Sequence, residues 1–231
     1  MYHRIILKLS GEALSGEAGF GLNLNEARKV ARQVKEAKDL GCQIGIVIGG
    51  GNFWRGRSSE GIDRVKADQI GMLGTVMNCL YVSEVFRTEG MDTSVYTPYP
   101  IGLYTEVFNK DKAVRDMEAG KIVFFAGGTG HPFFSTDMGV ALRAVETACD
   151  IILMAKNVDG VYDSDPNLNP NAVKFDELSY QEMVSKTLRV IDLTAAAFLM
   201  DNQMPCKLFA LSEEGSISRA VRGEKIGTDI H

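Results

Sequence analysis

The chain has 231 residues, of which 25 are Lys or Arg, 30 are Asp or Glu and 45% are hydrophobic. This apolar content is enough for a full hydrophobic core and excludes an intrinsically disordered chain. The formal net charge of −5 argues against a protein that binds nucleic acid through a basic surface.

No stretch of the sequence has the character of a membrane-spanning helix or a signal peptide. A span needs about 18 uncharged apolar residues, and Lys8 interrupts the short apolar run near the N-terminus. The four cysteines lie far apart, form no C-x-x-C motif and sit beside apolar residues. This placement predicts reduced cysteines in the core of a cytoplasmic protein. They are Cys42, Cys79, Cys149 and Cys206.

Short apolar runs alternate with longer amphipathic stretches, which is typical of β-α units. The predicted elements are, in chain order, strand Ile5–Leu9, helix Asn25–Leu40, strand Gln43–Ile48, helix Asp68–Arg87, strand Ser94–Thr97, helix Asp111–Ala119, strand Ile122–Ala126, helix Thr136–Cys149, strand Ile151–Met154, helix Asp192–Asp201 and strand Lys207–Ala210. Gly120 is expected to end the third helix. The alternation predicts an α/β fold with a largely parallel sheet covered on both faces. Because no linker or repeat interrupts it, we expect residues 1–231 to form one domain.

Three predicted strands run directly into glycine-rich turns, at Ser10-Gly11, Gly49–Gly51 and Gly127–Gly130. In an open parallel sheet, ligands bind beyond the carboxyl ends of the strands. Glycine lets the backbone approach an anion, and successive N–H groups can surround it. Together the three loops suit a polyanionic ligand such as a nucleotide, although each alone can be an ordinary turn.

Several familiar site motifs are missing. The sequence has neither the G-x-x-x-x-G-K-[ST] motif of P-loop NTPases nor a G-x-G-x-x-G after the first strand. Histidines and cysteines are too scattered for a zinc site, and no G-x-S-x-G elbow supports hydrolase chemistry.

Cationic side chains flank the first two glycine loops. Phosphoryl transfer needs positive charge around the moving group and in-line positioning. Lys8 lies inside an apolar strand, where a charge is costly unless it meets an anion or partner; the alternative is an edge lysine that reaches solvent. Arg55 and Arg57 follow the second loop and can cover phosphates or remain solvated.

Two acids lie where helices are predicted to begin. Asp68 can favour the helix N-terminus or accept a hydrogen bond from a ligand hydroxyl. Asp137 follows Ser135 and Thr136, either of which can be the N-cap residue. Farther along, Tyr162 can pack on a nucleobase and Asp165 can meet a ribose, or both can belong to a surface turn. The residues alone thus indicate a nucleotide-dependent phosphotransferase or a nucleotide-binding protein.

Motifs over nearly the whole chain add a family resemblance. They are Lys8–Glu12 (KLSGE), Gly49–Asn52 (GGGN) with Arg55-Gly56, Gly71–Leu73 with Thr75–Asn78, Gly128–Asp137 (GTGHPFFSTD) and Val158–Tyr162 (VDGVY). In these motifs the sequence resembles the amino acid kinase family and, within it, the bacterial uridylate (UMP) kinases. The GTGHPFFSTD run is highly specific, whereas GGGN alone is weak.

The resemblance implies a three-layer α/β/α sandwich that transfers the γ-phosphoryl group of ATP to UMP, with Mg²⁺ carried by the nucleotide and no metal site of the protein. It implies catalytic roles for Lys8, Arg55 and Asp137, with Asp137 orienting the cationic groups. It places Lys8, Leu9, Ser10, Gly11, Gly51 and Arg55 at the ATP phosphates and Asn157, Tyr162 and Asp165 at the adenosine. It places Gly50, Asp68, Thr129, Gly130, His131, Pro132, Phe133, Phe134, Ser135 and Thr136 around UMP.

The resemblance further implies a homohexamer, activation by GTP and inhibition by UTP. The segment Gly16–Gly21 resembles the region tied to the effector response, and it can also be a simple glycine-rich loop. The sequence does not decide whether Lys156 or Asn157 faces the adenine, nor what Arg57 and His131 do.

Two other functions stay open. One is a kinase of this fold that forms an acyl phosphate on glutamate, aspartate or carbamate. The long Thr129–Asp137 run disfavours it, since a small carboxylate needs no pocket for a base. The other is a non-catalytic nucleotide- or oxyanion-binding protein, which the joint presence of Lys8, Arg55 and Asp137 disfavours.

Overall fold

A mainly parallel sheet is the centre of the molecule. The computed structural model describes residues 1–54, 61–188 and 190–231. Over these residues the strands are β1 Arg4–Leu9, β2 Gln43–Ile48, β3 Thr93–Thr97, β4 Glu106–Val107, β5 Ile122–Phe125, β6 Ile151–Lys156, β7 Val161–Tyr162, β8 Lys174–Phe175, β9 Glu177–Leu178, β10 Cys206–Ala210 and β11 Thr228–Ile230. The main sheet has the order β4-β3-β5-β2-β1-β6-β10-β11-β9, and β7 and β8 form a separate hairpin. Its neighbouring strands are parallel except at the β10–β11 pair.

Helices cover both faces of this sheet. Over the described residues they are α1 Leu24–Asp39, α2 Arg64–Thr88, α3 Lys110–Glu118, α4 Thr136–Glu146, α5 Tyr180–Ser185, α6 Leu193–Asp201 and α7 Ser216–Arg222, with short 3-10 helices at Gly11–Leu14 and Gly16–Ala18. Helices α1, α2 and α7 pack on one face, and α3 to α6 pack on the other. This confirms the three-layer α/β/α arrangement. None of the described helices is long and apolar enough to cross a bilayer.

The alternation of side chains along β1 assigns each residue to a layer. Ile5, Leu7 and Leu9 enter the core under α1, α2 and α7, whereas Ile6 enters the core under α3 to α6. Lys8 lies on the same face as Ile6 and is only 9% exposed. The strand therefore directs a buried ammonium group toward the helices α3 to α6.

The predicted strands are confirmed to within two residues at each end, and the four cysteines are buried and free. Gly120, at φ +79°, follows the last residues of α3 as expected. Helix α4 ends at Glu146 rather than Cys149, because the backbone reverses at Ala148 with φ +52°. Helices α5 and α7 were not predicted.

The predicted start of α2 at Asp68 is wrong. The helix begins at Arg64, and the side chain of Asp63 accepts a hydrogen bond from the Lys66 amide as the N-cap. The first turn alternates charged and apolar residues, Arg64-Val65-Lys66-Ala67, and this alternation does not show the period of a helix. Asp68 consequently lies in the second turn and does not serve the helix N-terminus.

Candidate active site

The three glycine-rich loops meet at one edge of the sheet, as predicted. They follow β1, β2 and β5, which are adjacent parallel strands. The contact between the first two loops is tight: a Cβ atom on Gly11 would lie 2.4 Å from the Gly49 carbonyl oxygen. Only glycine fits such a close approach of two backbones.

A buried charge cluster lies beside these loops. The Lys8 Nζ atom is 3.0 Å from Asp137 Oδ1, and the two side chains are 11% and 16% exposed. Lys156, at the end of neighbouring β6, interacts electrostatically with both. The cluster joins β1, β6 and the first turn of α4, so the fold itself brings these three charges together.

The charges of this cluster shift the ionisation of Asp137 and of Lys156. Burial alone would raise the pKa of Asp137, but the charges of Lys8 and Lys156 outweigh it and the net shift is downward. Burial, followed by repulsion from Lys8, lowers the pKa of Lys156 to about 8, although Asp137 opposes the shift. Asp137 therefore stays ionised near neutral pH.

The N-terminus of α4 is held by Ser135. Its hydroxyl accepts hydrogen bonds from the amides of Asp137 and Met138, so Ser135 and not Thr136 is the N-cap residue. The same hydroxyl donates to the carboxylate of Asp192, whose own amide donates to Asp137 Oδ2 over 3.4 Å. The positive end of this helix dipole points at the site, where it favours anions.

A first cavity of about 210 Å³ lies on one side of this helix terminus. It is lined by Gly50, Gly51, Trp54, Arg64, Asp68, Gly71, Met72, Thr75, Gly128, Thr129, His131, Phe134, Ser135 and Thr136. Most of the residues predicted for UMP are among them. Gly130, Pro132 and Phe133 are not: Gly130 turns the loop at φ +84°, and the Phe133 ring is 64% exposed.

Asp68 connects this cavity to the loop after β5. Its Oδ2 atom accepts one hydrogen bond from Arg64 Nε and one from the Phe133 amide, both 2.8 Å long. Phe133 has φ +70°, an unfavourable backbone conformation for a non-glycine residue. The carboxylate thus helps to hold the loop at the mouth of the cavity.

Trp54 contributes an indole group to the cavity wall. Its indole Nε1 atom is buried and has no hydrogen-bond partner within the described part of the chain. Trp54 is also the single tryptophan of the sequence. Its position makes it a natural reporter of what enters this cavity.

A second cavity of about 600 Å³ lies on the other side of the α4 terminus. It is lined by Ser135, Asp137, Lys156, Met183, Val184, Thr187, Leu188, Val190, Ile191, Asp192, Leu193 and Thr194. The sequence analysis did not predict the part of this cavity wall that α5 forms with Met183 and Val184. The sequence does carry a signal for α5, because Ser179 and Glu182 form a capping box at its start.

The residues predicted for adenosine each have their own surroundings in the structure. Asn157 lines a cavity between α1 and residues 211–215. The Tyr162 hydroxyl donates to Asp159 Oδ1, and Asp165 is exposed and accepts hydrogen bonds from Asn167. Lys156 is the residue of the Lys156-Asn157 pair that faces Asp137.

A family comparison agrees with this geometry. The model of the amino acid kinase family matches residues 3–210. The chain belongs to the amino acid kinase family.

Named members of this family resemble the chain over its full length. A uridylate kinase from Pediococcus pentosaceus is 49% identical over 99% of this chain and 96% of that protein. The crystal structure of UMP kinase from Bacillus anthracis has a TM-score of 0.96 at 38% identity and covers all of this chain and 96% of that one. The structure of UMP kinase from Ureaplasma parvum has a TM-score of 0.93 at 31% identity, with 100% and 99% covered.

Two predicted cations cannot be placed in the site. Arg55, predicted to be catalytic and to contact ATP, and Arg57 lie outside the described residues. Among the residues that are described, no group of three or more His, Cys, Asp or Glu side chains could hold a metal ion.

Proposed function

We propose that this amino acid kinase transfers the γ-phosphoryl group of ATP to the 5′-phosphate of UMP and releases ADP and UDP. The observation that carries the proposal is the pair of cavities that meet at the α4 N-terminus, beside Lys8 and Asp137. Two phosphorylated molecules that enter from opposite sides would place their phosphates at one buried cationic point. The full-length relatives named uridylate or UMP kinase support UMP as the acceptor.

In this proposal UMP occupies the cavity of about 210 Å³. Asp68 contacts the ribose, the backbone of Gly50 approaches the phosphate, and the Thr129–Thr136 loop surrounds the base. The cavity of about 600 Å³ receives ATP from the other side, with its phosphates toward Gly11 and Gly51. Asn157, Tyr162 and Asp165 are not in the lining of this cavity and stay our expectation for the adenosine end of ATP.

The chemistry then depends on charge and position. The bond between the γ-phosphorus and the ADP oxygen breaks while an oxygen of the UMP phosphate bonds to that phosphorus. Lys8, Lys156 and the α4 N-terminus stabilise the negative charge on the transferred group. Asp137 holds the two ammonium groups in place. Because a 5′-phosphate has a second pKa near 6, it needs no base at neutral pH.

Mg²⁺ would enter with the nucleotide phosphates. One carboxylate between two lysines is not a set of oxygen ligands for that ion, so its coordination would come from phosphate and water. We infer that the chain is cytoplasmic, in keeping with four free buried cysteines, and that residues 1–231 form one domain on a continuous sheet. A homohexamer that GTP activates and UTP inhibits remains our expectation for its assembly and regulation.

A coupled assay tests the proposal. ATP and Mg²⁺ are supplied with UMP, CMP, GMP or AMP, and in parallel with glutamate, aspartate or carbamate. We expect UMP to be the preferred acceptor and UDP the product. Phosphorylation of a carboxylate but not of UMP would instead establish an acyl-phosphate kinase. Binding of ATP and UMP without any UDP would establish a non-catalytic binding protein.

A further inference from the structure

Helix α2 presents a stripe of polar and small residues to the site. Asp68, Gly71, Thr75 and Asn78 are spaced three or four residues apart and so lie on one face of the helix. The Gly50 backbone packs directly on this face, since a Cβ atom there would lie 2.7 Å from the Gly71 carbonyl oxygen. Two members of the stripe, Asn78 and Thr75, have no role in the function described above.

Asn78 binds the loop that follows β2. Its Nδ2 atom donates to the Gly49 carbonyl over 2.6 Å and to Asn52 Oδ1 over 2.8 Å. Asn52 returns a hydrogen bond of 2.9 Å to Asn78 Oδ1 and donates to the Gly21 carbonyl over 2.7 Å. The two amides are 0% and 2% exposed. All four amide protons are thus used to hold backbone or each other.

The same amide pair presses against the first loop. A Cβ atom on Gly11 would lie 2.3 Å from Asn52 Oδ1 and 3.0 Å from Asn78 Nδ2. A change at Asn78 therefore affects the first two loops, and the second of these also lines the proposed UMP cavity at Gly50 and Gly51. The change leaves the loop that follows β5 untouched.

Thr75 binds that remaining loop. Its hydroxyl oxygen accepts a hydrogen bond of 2.8 Å from the Gly127 amide and donates one of 2.6 Å to the Met72 carbonyl. The Gly127 amide begins the Gly127–Thr136 segment, which forms one wall of the proposed UMP cavity. Because Gly127 sits at φ +78°, this bond fixes the point where the chain leaves β5.

We propose that Asn78 and Thr75 are positioning residues with different targets: Asn78 positions the first two loops, which face both nucleotides, and Thr75 positions only the loop that follows β5, on the UMP side. The inference rests on the proposed function. Its physical basis is that phosphoryl transfer depends on alignment, and a misplacement of about 1 Å can cost roughly 100-fold in rate. Both residues lie on helix α2, so this helix sets the distance between the loop that follows β2 and the loop that follows β5.

Thr75→Val tests the UMP side. Valine keeps the shape but removes the acceptor for the Gly127 amide, and we expect KM for UMP to rise about tenfold while KM for ATP stays within about twofold. Thr75→Ser retains the hydroxyl and should restore KM. Thr88→Val is the matched control, because Thr88 makes the same hydrogen bond within the helix, to the Val85 carbonyl over 2.7 Å.

Asn78→Leu tests the first two loops. We expect KM for ATP to rise about tenfold and kcat to fall, a rise in KM for ATP that Thr75→Val should not show. Ser83→Ala is the control, since Ser83 lies on the same helix and its buried hydroxyl pairs with that of Thr93 in β3. A KM for ATP that stays constant in Asn78→Leu, or that rises equally in Thr75→Val, would overturn the inference.

Amide hydrogen exchange separates this inference from the proposed function. In the chain without nucleotides, the Gly127 amide should lose protection in Thr75→Val but keep it in Thr75→Ser and Thr88→Val. Unchanged protection in Thr75→Val would overturn the inference even in a fully active enzyme. A wild-type chain that makes no UDP would refute the proposed function alone. The role of Thr75 would still be decided by the protection of the Gly127 amide and by the affinity for UMP measured from Trp54 fluorescence.

Discussion

Replacement of Lys8 by Met gives the most direct test of the buried charge cluster. Methionine fills a similar volume but removes the ammonium group 3.0 Å from Asp137. A unit charge about 4 Å from a phosphoryl oxygen, at an effective dielectric constant of about 20, contributes about 4 kcal/mol. Since about 1.4 kcal/mol corresponds to a factor of ten in rate, kcat should fall by about three powers of ten, at the upper end of the range of about 10²–10³ known for the loss of one such group.

The same change also affects folding, so the assay needs a control. Removal of one partner from a buried ion pair costs about 3–5 kcal/mol, and Lys156 reduces that cost here because it remains beside Asp137. Lys207→Met is the matched variant. Lys207 is also a buried strand lysine, 2% exposed and 2.7 Å from Asp229, but it belongs to β10 and lines neither cavity at the α4 terminus.

The two variants should separate stability from catalysis. Both should lower the melting temperature, and only Lys8→Met should lower kcat, measured as UDP formation at saturating ATP and UMP below that temperature. A Lys8→Met enzyme with wild-type kcat would refute a catalytic role for this ammonium group. An equal loss of kcat in Lys207→Met would show that the loss follows from removing any buried lysine and not from the site at Lys8.

Three further predictions address the two cavities. Asp68→Asn should raise KM for UMP about tenfold with little change in KM for ATP, because it weakens the acceptor for the Phe133 amide and the proposed ribose contact. An unchanged KM for UMP would exclude both effects. UMP should change the fluorescence of Trp54, and glutamate should not; a signal that ignores UMP would place the acceptor elsewhere. For wild type, kcat/KM for ATP should fall as the pH rises through about 8, because Lys156 then loses its charge. In Lys156→Arg, kcat/KM for ATP should stay constant over that range. A decline in both enzymes would assign the titration to another group.

The sequence predicted the parts of the fold that follow from local periodicity. Alternation along Ile5–Leu9 placed Lys8 inside an apolar strand, and the structure shows why: every second residue enters one core and Lys8 faces the other. Parallel neighbouring strands then brought the glycine loops together. These features depend on residues that are close in the chain, so a pattern can reveal them.

Other parts of the site depend on contacts between distant residues. Asn52 and Asn78 are 26 residues apart, and neither position carries a periodic signal. The Lys156-Asn157 ambiguity has the same origin, since a shift of one residue along a strand exchanges the faces of the sheet. The second cavity needs residues 183–188 and 190–194 packed beside α4. The predicted helix Asp192–Asp201 covers only the end of this segment, and the capping box at Ser179 is a signal that the prediction did not use.

The arrangement at Asp137 decides between two roles for this carboxylate. A general base works best with a pKa near the operating pH, whereas Lys8 and Lys156 hold the pKa of Asp137 below its ordinary value of 3.8. The stabilisation from this lowered pKa is present at neutral pH and is lost only as the pH falls through the pKa of the folded state. Asp137 thus stays negative throughout the range in which a UMP phosphate is a dianion. In the proposed reaction its contribution is to keep two ammonium groups close together and directed at the transferred phosphoryl group, which neither lysine could do alone.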